Sequence, residues 1–124
     1  MHSSGGSSSV RRVGTPRPGV TEVPLADLNP LHAVPRPNTP PNHLQDLANL
    51  IRMNGYDLSR AIPLVRMPDG RLLQLGGHHR AAAMGQLGET TIPARVVDWN
   101  SMSPGAQTKW RQRFPNFPWD DFIQ

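Results

Sequence analysis

The chain has 124 residues with 11 Gly, 14 Pro and no Cys, and its 13 Lys and Arg against 9 Asp and Glu give a formal charge of +4. That length holds one domain, and the lack of cysteine excludes disulfides, thiolate metal sites and thiol catalysis. No apolar run reaches the length of a membrane span, and the N-terminus lacks the apolar core of a signal peptide. The expected site of action is the cytoplasm, whether the chain acts alone or as part of a secreted effector. Twelve of the thirteen cations are Arg, which suits bidentate phosphate recognition, although genome composition produces the same bias.

Residues 1–19, with a Ser/Gly run over residues 3–9, have the composition of a flexible linker or leader. Arg11, Arg12 and Arg17 would then be solvated charges or a basic arm for nucleic acid. The domain is expected over 20–99. It opens with a short strand from Val20 and one helical turn at Ala26-Asp27-Leu28. A proline-rich stretch from Pro30 to Pro41 excludes a regular element and predicts a surface loop. It carries His32 and Arg36, and Arg36 could reach a phosphate placed over the domain.

Leu44, Leu47, Ala48 and Ile51 repeat at i, i+3, i+4, i+7 and predict a helix over 40–54, capped by Thr39, with Pro40 in its first turn and Gly55 at its end. The face left over, including His43 and Asp46, is open to solvent or to a ligand at the helix start. Ile62–Met67 and Arg71–Leu75 read as two strands joined into a hairpin by Pro68-Asp69-Gly70. A helix over 79–87 stops at Gly88, and Thr91–Val97 reads as a strand buried on both faces. Beyond Trp99 the pattern changes. Ser103-Pro104 starts a short helix carrying Trp110, Arg111 and Arg113, and four of the seven aromatics fall in Phe114–Phe122. This extension over 100–124 is expected to pack back on the domain or to dock on a protein partner.

The most informative stretch is Leu75-Gly76-Gly77-His78-His79-Arg80, between a strand and a helix. Gly76 and Gly77 let the chain turn sharply and approach a ligand closely, and the first helical N–H groups then face outward at the positive end of the helix dipole. Arg80 and one or both imidazoles would complete a site for phosphate. Adjacent histidines lie about 100° apart on a helix, so one of the pair should face the site while the other is structural. Adjacent histidines rarely chelate one ion, and no H-E-x-x-H or acidic cluster accompanies them, so no metal ligand set is read here.

That stretch, continued by Ala81-Ala82-Ala83 and Leu87-Gly88-Glu89-Thr90-Thr91-Ile92-Pro93-Ala94, resembles the signature of the ParB-like and sulfiredoxin superfamily. Val23–Pro30, Leu44–Gly55 and Ile62–Val65 extend the resemblance over roughly 20–98. It implies an α+β fold, a short mixed sheet packed against two main helices. It also implies that His79 and Arg80 ligate phosphate, with Gly76 and Gly77 as the turn. His78 stands where sulfiredoxins carry their catalytic Cys, so sulfinic acid reduction through a thiol is not available. Where sulfiredoxins place nucleotide-contacting Lys, Ser and Thr, this chain has His43, Asp46 and Leu50.

Three functions remain open at this stage. The favoured one is a ParB-like nuclease, of toxin or plasmid/phage type, with His78 or His79 as general acid or base and Arg80 stabilising the phosphoryl transition state. The second is an ATP- or CTP-binding phosphotransferase or switch. The third is a non-catalytic module binding DNA or protein. Mg2+ or a nucleoside triphosphate would be the cofactor, nucleic acid or nucleotide the partner, with no membrane involved. Arg36, His43 and Asp46 are candidates for additional ligand contacts.

Overall fold

A computed structural model describes residues 10–31 and 42–123. Its architecture is α+β, with elements β1 (Arg12–Val13), β2 (Val20–Pro24), β3 (Leu28–Pro30), α1 (His43–Asn54), β4 (Tyr56–Asp57), β5 (Ile62–Arg66), β6 (Leu72–Gln74), α2 (His78–Gln86), β7 (Thr91–Asp98), α3 (Pro104–Arg113) and α4 (Asp120–Ile123). Five strands form one mixed sheet in the order β2-β7-β5-β6-β3. The β2–β7 and β5–β6 pairs are antiparallel, whereas β5–β7 and β3–β6 are parallel.

Local chemistry explains the boundaries. The β5–β6 hairpin turns at Gly70, whose N–H donates to Met67 O at 2.8 Å, while the Asp69 carboxylate accepts from the Arg71 N–H at 2.9 Å. The leucine-spaced helix α1 ends where the Gly55 N–H donates to Ile51 O at 2.8 Å. It runs from His43, so the expected start at Thr39 and Pro40 lies outside the described residues. Helix α2 closes with Glu89 N–H to Met84 O at 3.0 Å and Gly88 N–H to Gly85 O at 3.1 Å, a pattern that needs the left-handed Gly88. Ser103 caps α3 by accepting the Ala106 N–H at 3.2 Å.

Alternation along the strands divides the interior in two. Ile62, Leu64, Ile92, Ala94 and Val23 face α1 and α2, meeting Ala48, Ile51, Ala83 and Met84. Val65, Met67, Leu73 and Leu75 face the other way and are covered by Trp99, Trp119 and Phe122. The aromatic segment thus forms a layer of its own. The Trp99 and Trp119 rings stack with centroids 5.5 Å apart, and the Trp119 indole N–H donates to Phe114 O at 2.8 Å. Arg71 clamps the end of the chain, its guanidinium 3.8 Å from the Phe122 ring centroid and donating to Asp121 O at 2.7 Å.

Of the stretch 1–19 expected as a linker, residues from Val10 onward are described, and Val10, Arg12 and Val13 contact the domain. Val10 is buried in the helix-side core, and β1 pairs with β4 in parallel. Arg12 is not a solvated charge: it pairs with Glu22 at 2.9 Å and with the buried Glu89 at 2.7 Å. A carboxylate as buried as Glu89 requires a cationic partner, and Arg12 supplies it across 77 residues of sequence. The same guanidinium holds the Glu22 carboxyl below the ordinary carboxylate range through its hydrogen bond.

Candidate functional site

The turn after β6 is held from below. Leu75 N–H donates to Pro63 O at 3.0 Å, and the buried Gln74 side chain donates to Gly76 O at 3.3 Å. Gly77 has φ +68, and a Cβ placed there would lie 2.3 Å from Ile62 Cγ2. Both the left-handed conformation and the contact with β5 therefore demand glycine at 77. Gly77 is also the N-cap of α2, so no side chain covers the first turn from that position. No acid occupies the first turn either, so the helix presents its positive end without a local counter-charge.

The three residues that follow point to different places. His78 is buried, and its Nε2 accepts the Leu31 N–H at 3.3 Å. An Nε2 that accepts an N–H carries no proton of its own. The candidate acid–base role for His78 is thus poorly served, because the ring is turned into the fold and tied to the backbone after β3. His79 is half-buried and meets His43 of α1 edge-on, with ring centroids 5.0 Å apart. Arg80 is half-buried and makes no ion pair among the described residues.

These residues line an open cleft of about 460 Å³ between α1, the Leu75–Arg80 stretch and the end of α3. His43 and Leu47 of α1 line it, as do Arg113 and Phe114 at the end of α3. Among the described residues no carboxylate lines it. Arg80 also borders an adjoining apolar cavity of about 320 Å³ against Leu47, Ile51 and Tyr56. A larger open groove of about 710 Å³ lies along the C-terminal layer, where Arg111 is already paired with Asp120 at 2.8 Å. Arg80 and Arg113, neither of them ion-paired among the described residues, line the smaller cleft.

Of the residues singled out from the sequence, Gly76, Gly77, His78, His79, Arg80 and His43 come together here. Asp46 is exposed on α1 and does not line the cleft. Arg36 lies outside the described residues. Arg113 lines the cleft as well, although the sequence does not single it out for the site. Its sequence signal is only a basic helix end beside Phe114, and nothing local says that this end folds back to the Gly-Gly turn. Among the described residues no three His, Cys, Asp or Glu side chains gather to hold a metal ion. The groups here are imidazoles, guanidiniums and helix N–H groups, which suit an anion.

The model of the ParB N-terminal domain matches residues 11–105 of this sequence. The chain belongs to the ParB N-terminal domain family. Its fold is also that of solved relatives. A sulfiredoxin from Arabidopsis thaliana is 26% identical with a TM-score of 0.53, covering 65% of this chain and 86% of its own. A C-terminally truncated chromosome-partitioning protein ParB from Caulobacter crescentus, complexed with CTP-gamma-S, is 26% identical with a TM-score of 0.56, covering 77% of this chain and 52% of its own. The same partitioning protein complexed to the centromeric parS site matches at 24% identity and TM-score 0.50, over 73% of this chain and 43% of its own, and speaks for the fold alone. The ParB-family chain thus spans about half the length of these truncated partitioning proteins. A search of curated protein sequences gave no match.

Proposed function

We propose that this ParB-type domain binds the phosphates of a nucleoside triphosphate in the cleft at the start of α2, with CTP the first nucleotide to test. The observation that carries this reading is the forced Gly77 turn, which opens the helix N-terminus beside Arg80, a guanidinium without an ion-pair partner among the described residues. Helix N–H groups would cradle phosphate oxygens, Arg80 would bind two of them as a planar fork, and His79 would add a third contact. The likeness to a partitioning protein complexed with CTP-gamma-S supports the same choice.

Calorimetry with CTP, ATP, GTP and UTP, with and without Mg2+, tests this. We expect saturable binding that Arg80→Ala weakens roughly ten- to hundredfold, the value of a charged hydrogen-bond pair. Binding of none of the four by the wild type overturns the reading.

A second reading, phosphodiester hydrolysis, draws on the His43–His79 pair, because two imidazoles 5.0 Å apart could serve as base and acid on one phosphate. It ranks below nucleotide binding because the Nε2 of His78 is engaged by the Leu31 N–H, which leaves the proton transfers to His43 and His79. Plasmid DNA and RNA incubated with the wild type and His79→Ala decide it: cleavage abolished by the substitution supports a nuclease, and intact substrates exclude one.

A further inference from the structure

The C-terminal layer reaches the cleft at one charged residue. Arg113 ends α3, lines the cleft together with His43 and Arg80, and makes no ion pair among the described residues. Its guanidinium is positioned by aromatic faces instead, 5.3 Å from the Trp110 centroid and 5.8 Å from that of Phe114. Such contacts orient a cation without neutralising it. Arg111, two residues away, is by contrast paired with Asp120.

We infer that Arg113 is a second phosphate-binding residue, carried into the site by the C-terminal layer, and that ligand binding and docking of this layer are therefore linked. The inference rests on the nucleotide reading above. The path is continuous: Phe114 follows Arg113, its carbonyl accepts the Trp119 indole N–H at 2.8 Å, and Trp119 stacks on Trp99 at the end of β7. An anion held between Arg80 and Arg113 bridges the two layers. It binds the docked arrangement better than an undocked one, and by reciprocity the docked layer binds the anion better. Besides its aromatic contacts the layer is tied by two side-chain hydrogen bonds of 2.7 Å, Arg71 to Asp121 O and Gln107 to Trp99 O, while no residue of α3 is buried.

The full chain is titrated calorimetrically with CTP and with inorganic tripolyphosphate, as wild type, Arg113→Gln, Arg113→Lys, Arg111→Gln and Arg80→Gln. Hydrogen exchange of residues 104–123 is followed with and without CTP. We expect Arg113→Gln to weaken both ligands about tenfold or more, Arg113→Lys to recover part of the loss, and Arg111→Gln to stay within about twofold of wild type. CTP should slow exchange over 104–123 in the wild type and not in Arg113→Gln. Binding that is lost in Arg80→Gln but unchanged in Arg113→Gln overturns this inference and leaves the nucleotide reading standing. Unchanged exchange over 104–123 in a wild type saturated with CTP overturns the linkage. A wild type that binds neither ligand overturns both.

Discussion

The two faces of the sheet are closed by different means. On the helical face, aliphatic side chains from β2, β5 and β7 meet two helices whose apolar residues face the sheet and whose last turns close through the Gly55 and Gly88 N–H groups. On the other face, β5 and β6 are covered by three large anchors, Trp99, Trp119 and Phe122, on a tail interrupted by Pro115 and Pro118. The helical core is assembled from segments that each favour their element locally. The aromatic layer has little such support, with no buried residue on α3 and only four residues in α4. A layer held by few anchors can loosen without dissolving the rest. The candidate site lies on the seam, with His79 and Arg80 on the helical side and Arg113 on the aromatic side.

The sharpest way to break this contrast is to remove one anchor from each face. Trp119→Ala should cost roughly 3–5 kcal/mol, most of it local to the aromatic layer. Hydrogen exchange over 104–123 should rise while α1 and α2 stay protected. Leu64→Ala, at a fully buried position of the helical core, should cost a comparable 2–5 kcal/mol, roughly, and raise exchange throughout. Identical exchange profiles for the two variants would show one cooperative core instead of two.

The same contrast explains what could be read from the sequence. The α1 stripe, the Pro68–Gly70 hairpin, the Gly-Gly turn and the strand from Thr91 are each written in local periodicity or turn chemistry, and all four are present. The β1–β4 pair was not legible, because two-residue strands have no period and a serine-rich leader conceals them. Nor could the sequence show that Arg12 is needed by a carboxylate at position 89. Within the site, the turn at Gly77 was legible, and so was the place of Arg80 just after it in the cleft. The orientation of His78 was not, because the partner that turns it inward, the Leu31 N–H, is 47 residues distant. Arg113 escaped for the same reason: its place depends on how the aromatic layer folds back.

The seam itself can be probed at its glycines. Gly77→Ala should cost roughly 2–4 kcal/mol, combining a left-handed penalty of about 1–2 with a collision against β5. The Cβ would meet Ile62 Cγ2 at 2.3 Å. Gly85→Ala, in the same helix with open space around its Cβ position, should instead stabilise by roughly 0.5–1 kcal/mol. Urea denaturation of both variants separates a turn demanded by geometry from a glycine that is merely tolerated. Equal stability of Gly77→Ala and wild type would remove the reason for the turn.

The two histidines should divide by role. His78→Ala leaves the buried Leu31 N–H without its acceptor and should destabilise by roughly 1–3 kcal/mol. His79→Ala should change stability less and nucleotide affinity more, because its ring faces His43 in the cleft. Thermal melts set beside binding titrations test the division. If His78→Ala lost affinity with unchanged stability, the structural role assigned to it would be wrong.

The smallest effect isolates the helical face by pH. The chain has one tyrosine, Tyr56, and it belongs to the helical core. Burial pushes its hydroxyl up to about 12 from the ordinary 10, and the hydroxyl donates to Arg60 O at 2.8 Å. A raised acid means that the fold favours the neutral phenol. Its contribution to stability is complete below pH 10 and drains away as pH rises through 10 toward 12. Tyr56→Phe should cost about 1 kcal/mol at neutral pH by deleting one hydrogen bond. Above pH 10 the wild type should lose stability more steeply than Tyr56→Phe, so their urea midpoints should converge. Because the aromatic layer has no tyrosine, exchange over 104–123 should respond only when the helical core does. Parallel midpoints across that range would mean that the phenol ionises without sensing the fold.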